Sequence, residues 1–135
     1  MYTNPWTPHA LSLRDYFAGD TAATIVIHSD LGEHEELPVA GWFRAPSSPV
    51  DLRVFDLCRG RVLDVGAGTG VHTVALQERG FEVCAIDFVA EAVEIMRQRG
   101  VRDARSANLF EFRGGSFETI LVLANGAALR GVTAR

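Results

Sequence analysis

The chain has 135 residues, of which 47% are hydrophobic and 22% charged, a composition that predicts one globular domain with at most a small appendage. Its formal net charge is −4, all 13 basic residues are arginine, and residues 1–60 hold eight acids against four arginines. This balance supplies no basic stripe for a nucleic acid and argues against such a partner.

The start of the chain and its apolar runs predict a cytoplasmic protein without a membrane segment. Residues 1–5 lack the charged and apolar regions of a signal peptide. The most apolar run, residues 119–129, is too short to span a bilayer. Cys58 and Cys84 are expected to be packed thiols, since nothing indicates a disulfide framework.

Residues 1–45 are predicted to form an appendage of one helix and one β-hairpin before the main domain, residues 46–135. The helix is expected over residues 6–18, because apolar side chains recur there at three- and four-residue steps. The expected buried face of this helix consists of Trp6, Ala10, Leu13 and Phe17.

The hairpin is predicted from two short runs of strand character, residues 24–28 and 33–37, joined by a turn. Because the second run is acidic, one face of the hairpin should be wet. His28 and His34, with the neighbouring glutamates, are residue types that also ligate metals. No zinc-specific spacing is present, so a solvated face is the preferred interpretation and no metal is predicted.

A further helix is predicted after the loop at residues 45–49, which marks the boundary between the appendage and the main domain. Ser48 followed by Pro49 is a typical helix start, and Gly60 is placed to end the helix. The side chains expected on its buried face are Leu52, Phe55 and Leu57.

Residues 62–70, Val-Leu-Asp-Val-Gly-Ala-Gly-Thr-Gly, are the most informative stretch. The apolar run predicts a buried strand, and the glycines predict a tight turn into a helix that runs to about residue 79. Strand, glycine turn and helix begin a nucleotide-binding βαβ unit. A Cβ in the turn would hold a ligand away from the backbone, and the N–H groups at the helix start suit an anion.

The spacing of the glycines distinguishes between ligands. A dinucleotide fingerprint reads G-x-G-x-x-G, whereas these glycines read G-x-G-x-G and Val71 takes the third place. The glycine normally found at that place allows the helix to pack closely on the strand around a pyrophosphate. An NAD-dependent oxidoreductase is therefore the less favoured interpretation.

The rest of the chain alternates strands and helices. A strand at residues 81–86 ends at Asp87, which lies close to ~20 residues beyond the glycine turn and can accept hydrogen bonds from ribose hydroxyls. The same aspartate can serve as a cap for the next helix. The elements predicted after it are a helix from Val89 to Gly100, strands at 101–107 and 117–123, and a helix or loop at 127–130.

Residues 51–126 resemble the class I S-adenosylmethionine-dependent methyltransferases, through the glycine turn with Asp64 in its strand and through Asp87. The resemblance implies a Rossmann-like α/β fold, a three-layer sandwich around a partial parallel sheet of order 3-2-1-4, with the N-terminal helix and hairpin added. The sheet of this family has seven strands, and four can be placed here. The sequence therefore resembles the N-terminal, cofactor-binding half, a truncated form of the full fold.

The resemblance also implies S-adenosylmethionine as cofactor and a set of residues that bind it. Asp64 would hold the amino-acid end, Asp87 the ribose, and Phe88 would lie against the adenine. Asn108 stands where the family often has an acidic residue for the adenine amino group, so it would accept without charge. The implied binding residues are Asp64, Gly66, Ala67, Gly68, Gly70, Asp87, Phe88, Asn108, Leu109 and Ala124.

The implied activity is methyl transfer to an acceptor, with a small molecule favoured over a nucleic acid. Because strands beyond the fourth are missing, a non-catalytic cofactor-binding or interaction module is the alternative. No catalytic residue is assigned. The fourth strand, residues 117–123, would form an exposed edge and is expected to pair in a homodimer. The candidates for the acceptor pocket are Trp6, His9, Tyr16, His28, Phe43 and Asn125.

Overall fold

The computed structural model describes residues 4–123, which form a four-stranded parallel sheet with helices and a separate two-stranded hairpin. The predicted helix or loop at 127–130 lies outside these residues. No helix within residues 4–123 is long and apolar enough to cross a bilayer. The elements are α1 (Thr7–Phe17), β1 (Thr24–His28), β2 (His34–Pro38), a 3₁₀ helix (Val39–Phe43), α2 (Pro49–Leu57), β3 (Val62–Val65), α3 (Val71–Glu78), β4 (Val83–Asp87), α4 (Ala90–Gln98), β5 (Ala104–Ser106) and β6 (Thr119–Leu121).

The parallel sheet has the order β5-β4-β3-β6, which is the predicted order 3-2-1-4 and confirms the α/β fold class. β3 lies at the centre with all four of its residues buried. The three other strands of this sheet differ from their predicted bounds by one to three residues at each end. One consequence is that Asp87 is the last residue of β4 rather than the residue after it.

The two faces of the sheet are covered differently. On one face, Val62 packs with Phe55 of α2 and Leu76 of α3 in a buried cluster. On the other face, Leu63 and Ile86 are covered by side chains from the irregular segment between β5 and β6. Those covering side chains include Leu109, Phe112 and Phe117. Cys58 and Cys84 are buried free thiols, as expected.

α2 begins at Ser48, whose side chain accepts the Asp51 N–H at 3.1 Å while the Asp51 carboxylate accepts the Ser48 N–H at 3.1 Å. This capping box confirms the predicted start of the helix. The predicted buried face was wrong at two positions, because Leu52 and Leu57 are exposed. The helix turns Phe55 and Cys58, one turn apart, towards the sheet, and Leu52 and Leu57 point away from it.

α1 packs on α4, and Ala10 and Leu13 share a buried cluster with Val89, Ala92 and Ile95. Phe17 does not belong to that buried face, contrary to the prediction, and is 39% exposed. It lies at the last residue of the helix, where its ring stacks on Phe43 at a centroid distance of 6.1 Å.

β1 and β2 pair only with each other, and every residue of β1 except Ile25 is exposed. The prediction of one wet face therefore understated the exposure, because each strand of the hairpin has a single partly buried residue, Ile25 in β1 and Leu37 in β2. His28 and His34 face each other in this register, with ring centroids 6.2 Å apart. Among residues 4–123, no three His, Cys, Asp or Glu side chains are grouped to hold a metal ion.

Candidate functional site

The glycine turn, residues 66–70, connects β3 to α3 and is tied to the neighbouring strand. The N–H groups of Gly66 and Ala67 both donate to the Ile86 carbonyl, at 2.9 and 3.1 Å. Gly68 has φ +60°, and a Cβ built on it would meet no protein atom within 4 Å. The backbone of the turn therefore faces open space at this residue, which a side chain would take from a ligand.

Gly70 is required for a different reason. Its φ is +82°, and a Cβ there would lie 2.9 Å from both Met96 Cγ and Val101 Cγ2. The last glycine of the turn thus permits close packing of the turn against α4 and the segment that follows it. At this position the structure gives glycine a role in internal packing.

Asp87 is held directly beneath the turn. Its Oδ2 accepts the Gly68 N–H at 2.9 Å, and its Oδ1 accepts the Val89 N–H at 2.9 Å. Each carboxylate oxygen has two lone-pair sites, so each keeps one site for a further donor. Asp87 is thus oriented by the turn and by the start of α4, and it retains two acceptor sites on one rigid group.

Asp64 lies in the centre of β3 and is only 3% exposed. Its Oδ2 accepts the Thr73 hydroxyl of α3 at 2.7 Å. Burial raises the pKa of this carboxyl from 3.8 to about 6, while the Thr73 hydrogen bond and the nearby His72 act in the opposite direction. A buried acid poised in this range is typical of binding and catalytic sites.

A cavity of about 460 Å³ lies between the glycine turn and the 3₁₀ helix. This volume falls within the range of small-molecule sites. Its floor contains Asp64 and the turn, and its walls come from the end of β2, the 3₁₀ helix and the start of α3. The lining residues are Leu37, Pro38, Gly41, Trp42, Asp64, Gly66, Ala67, Gly68, Thr69, Val71, His72 and Leu123.

The 3₁₀ helix is fastened over the turn through Thr69, which is 1% exposed. The Thr69 hydroxyl donates to the Trp42 carbonyl and accepts from Arg99 Nη1 at 2.8 Å. The Arg99 guanidinium also lies 5.4 Å from the Phe43 ring centroid. One buried hydroxyl therefore joins the N-terminal part of the chain, the turn and the end of α4.

His72, in the first turn of α3, lines the same cavity and is held by α2. Its Nε2 lies 2.9 Å from Asp51 Oδ1, and its ring packs edge-on against Phe55 at 6.1 Å. The contact with His72, followed by that with Ser48, lowers the pKa of Asp51, which is therefore ionised at neutral pH. An ionised acceptor on Nε2 leaves Nδ1 as the ring nitrogen available to a ligand.

The structure brings some of the predicted site residues to this cavity and places others elsewhere. Asp64, Gly66, Ala67 and Gly68 line it, and Asp87 bonds to Gly68. The remaining predicted residues do not line it, and Ala124, like the acceptor candidate Asn125, lies outside the described residues. Those remaining residues are Gly70, Phe88, Asn108 and Leu109.

The side chains of Phe88, Asn108 and Leu109 each contact residues outside this cavity. The Phe88 ring is 44% exposed and meets the Trp6 ring edge-on at 4.9 Å. Asn108 is exposed, and its Oδ1 accepts the Phe110 N–H at 3.1 Å. Leu109 packs against the cluster that holds Leu63 and Ile86.

Sequence reasoning missed Trp42 and His72 as lining residues. His72 directly follows the glycine turn, so its position could have been inferred from the turn alone. Trp42 reaches the site through a hydrogen bond to a residue 27 positions away, and no local pattern signals it.

The methyltransferase domain family matches residues 62–130. A crystal structure of an S-adenosylmethionine-dependent methyltransferase from Bacteroides fragilis, in complex with S-adenosyl-L-homocysteine, superposes with a TM-score of 0.81 and 40% identity over 88% of this chain and 51% of that one. An uncharacterized methyltransferase of Mycobacterium tuberculosis is 51% identical over 37 residues, which are 27% of this chain and 15% of that protein.

A magnesium-protoporphyrin O-methyltransferase of Rhodobacter capsulatus is 43% identical over 44 residues, 33% of this chain and 20% of that protein. The present chain thus spans about half the length of the solved Bacteroides protein. Its matches to the two sequence relatives cover a fifth of their lengths or less.

Proposed function

The chain belongs to the methyltransferase domain family, as its resemblance to the class I S-adenosylmethionine-dependent methyltransferases predicted, and we propose that it binds S-adenosylmethionine and takes part in methyl transfer. The cofactor would supply the methyl group on its sulfonium sulfur. The observation that carries the proposal is the open glycine turn with Asp87 fixed beneath it. The Bacteroides protein, solved with the demethylated cofactor, supports the same ligand class.

The contacts at Asp87 fit the ribose of this cofactor. Two neighbouring hydroxyls can donate to the two acceptor sites that Asp87 retains, without disturbing its bonds to Gly68 and Val89. The open space at Gly68 lets a ligand approach the backbone of the turn. Glycines spaced as G-x-G-x-G with Val71 in the third fingerprint place continue to disfavour NAD.

Calorimetric titration with S-adenosylhomocysteine and, separately, with NAD tests the proposal. We expect the first to bind and the second not to bind, and binding of NAD alone would refute the proposal. Asp87→Ala should weaken S-adenosylhomocysteine binding by about 1.5–3 kcal/mol, the scale of hydrogen bonds to a charged group. Asp56→Ala, at an exposed carboxylate of α2, is the matched control and should bind like the wild type.

The acceptor is proposed to be a small molecule. The net charge of −4 and the exposed acidic strand β2 are unfavourable to a polyanion such as DNA or RNA. Mass spectrometry of methylated products across a panel of small acceptors, with an RNA included, distinguishes these classes. Cofactor binding without any product from this chain would instead favour the alternative, a non-catalytic binding module.

The edge of β6 is proposed to pair with a second copy of the chain about a two-fold axis. β6 pairs with β3 on one side, and no strand among residues 4–123 lies on its other side. Within this strand, Ile120 is 60% exposed, whereas Leu121 is buried in the core and would be a poor probe of the surface. Light scattering at low micromolar concentration should report a dimer for the wild type and a monomer for Ile120→Lys. A monomeric wild type would contradict this pairing.

A further inference from the structure

One face of the β1–β2 hairpin leads outward from the cavity at the glycine turn. Ile25 lies opposite Leu37 in the register and Ile27 lies opposite Glu35, so these four side chains share one face of the two strands. Leu37 also lines the cavity, whereas Ile27 and Glu35 lie in a separate open groove of about 530 Å³. The other residues that line this groove are Ser29, Glu33 and His34. The hairpin face thus begins at the cavity and continues into the groove.

This face offers apolar surface that residues 4–123 leave partly in water. Ile25 and Leu37 are partly buried, and Ile27 is 49% exposed. Neither β1 nor β2 pairs with a further strand among the described residues. Apolar surface exposed beside a small-molecule cavity is typical of a place where a ligand or partner binds.

The acidic side chains of the same face form no ion pair within residues 4–123. Glu33 and Glu35 both line the groove, and none of the ion pairs in that part of the chain involves either carboxylate. No arginine or lysine occurs in the sequence between Arg14 and Arg44. Carboxylates that lie beside apolar surface without a cation of their own are complementary to a ligand that carries a cationic group on an apolar body.

We propose that this face binds the methyl acceptor, and that the acceptor is a small molecule with an apolar body and a cationic group such as a protonated amine. Its nucleophilic atom would enter the cavity past Leu37, while its cationic group pairs with Glu35. Consecutive residues advance about 3.4 Å along a strand, so these two points lie about 7 Å apart. The inference rests on the proposed function and names the substrate class of that site.

Tyramine and 3-(4-hydroxyphenyl)propionate test the inference, because they share a phenol and a two-carbon spacer and differ in the charge of the terminal group. Each is titrated onto the whole 135-residue chain loaded with S-adenosylhomocysteine, and ligand-observed NMR gives the two affinities. We expect tyramine to bind at least about fivefold more tightly than the acid, the scale of an exposed ion pair.

Glu35→Arg should reverse this preference, because it replaces the negative charge of the groove by a positive one. Glu36→Arg is the matched control, since it changes the net charge of the hairpin by the same amount. Glu36 alternates to the opposite face of β2, where its Oε1 accepts the Thr24 hydroxyl at 2.7 Å. The control should therefore change the ratio of the two affinities less than about twofold. Circular dichroism of each variant establishes that the fold is retained.

An equal response of the two variants would overturn the assignment of this face, since it would report only the overall charge of the hairpin. A wild type that binds S-adenosylhomocysteine but shows no preference for tyramine would overturn the acceptor class. A wild type that does not bind S-adenosylhomocysteine would refute the proposed function itself, which is a distinct result.

Discussion

The burial of strands β1 and β3 is the opposite of what their compositions alone would suggest. β1, Thr-Ile-Val-Ile-His, has three successive β-branched apolar residues, yet Val26 and Ile27 are 45% and 49% exposed. β3, Val-Leu-Asp-Val, contains a carboxylate, yet all four of its residues are buried. Burial therefore does not follow the apolar content of the strand.

The difference comes from the neighbours that the topology provides. β3 is flanked by β4 and β6 and has α2 and α3 on one face, so even Asp64 is taken out of water. β1 has a single strand partner, β2, and four of its five residues are exposed. A central position in a parallel sheet imposes burial, whereas a hairpin strand obtains it only if another element covers it.

The test with the largest expected effect replaces one isoleucine by alanine in each region. Ile86→Ala in β4, where the side chain is 1% exposed, should lower the free energy of unfolding by about 2–5 kcal/mol through lost burial and the cavity left behind. Ile27→Ala in β1 should cost less than about 1 kcal/mol, because half of that side chain is already in water. Urea unfolding measures both. A similar cost at the two positions would indicate that the hairpin is covered in solution.

The same contrast explains what could be predicted from the sequence. The order of the four parallel strands was implied by the family resemblance. The approximate positions of these strands and the start of α2 were predictable from the sequence itself, because alternating periodicities and Ser48 followed by Pro49 are local signals. The floor of the cavity was predictable for the same reason, because the glycine turn that forms it is a local motif. Each of these features is encoded within a few consecutive residues.

The walls of the cavity were not predictable, because they depend on contacts between distant parts of the chain. The 3₁₀ helix Val39–Phe43 has no periodic pattern, and the Val39 N–H donates to the carbonyl of Ala23. Trp42 is placed by its bond to Thr69. The exposure of Leu52 likewise depends on how α2 is rotated against the sheet, which composition does not specify.

A second test concerns the buried charge in β3 and the pH dependence of stability. The pKa of Asp64 in the folded protein, about 6, lies above its ordinary value of 3.8. The folded state therefore binds this proton more tightly than the unfolded chain, and the stabilisation is complete below about pH 4 and lost as the pH rises through about 6. Asp64→Asn, which does not titrate, removes this dependence.

The measurable quantity is the difference in unfolding free energy between the wild type and Asp64→Asn. It should shift in favour of the wild type by about 2–3 kcal/mol as the pH falls from 7 to 4, given the size of the pKa change. Groups whose pKa is lowered, such as Asp51 and Asp103, titrate in both proteins and cancel in the difference. A difference that does not change with pH would mean that Asp64 is solvated in the folded state.

The smallest expected effect is the difference in stability between two Gly→Ala variants. The two glycines, Gly70 beside the parallel sheet and Gly32 in the hairpin turn, have the same backbone conformation. Their φ angles are +82° and +81°. Replacement by alanine therefore carries a similar strain at both, about 1–2 kcal/mol, and the same loss of entropy in the unfolded chain. A Cβ at Gly32 would meet no atom within 4 Å, whereas one at Gly70 would lie 2.9 Å from Met96 Cγ and Val101 Cγ2.

Gly70→Ala should therefore destabilise the protein by about 1–3 kcal/mol more than Gly32→Ala, the cost of overpacking a filled interior. Val101 is β-branched and buried, so it cannot rotate freely out of the way. Adding Val101→Ala to each glycine variant makes the test sharper, since it should relieve part of the cost at Gly70 and none at Gly32. Equal costs for the two single variants, with no coupling to Val101, would show that the interior yields around the added methyl group and that close packing does not fix the glycine at position 70.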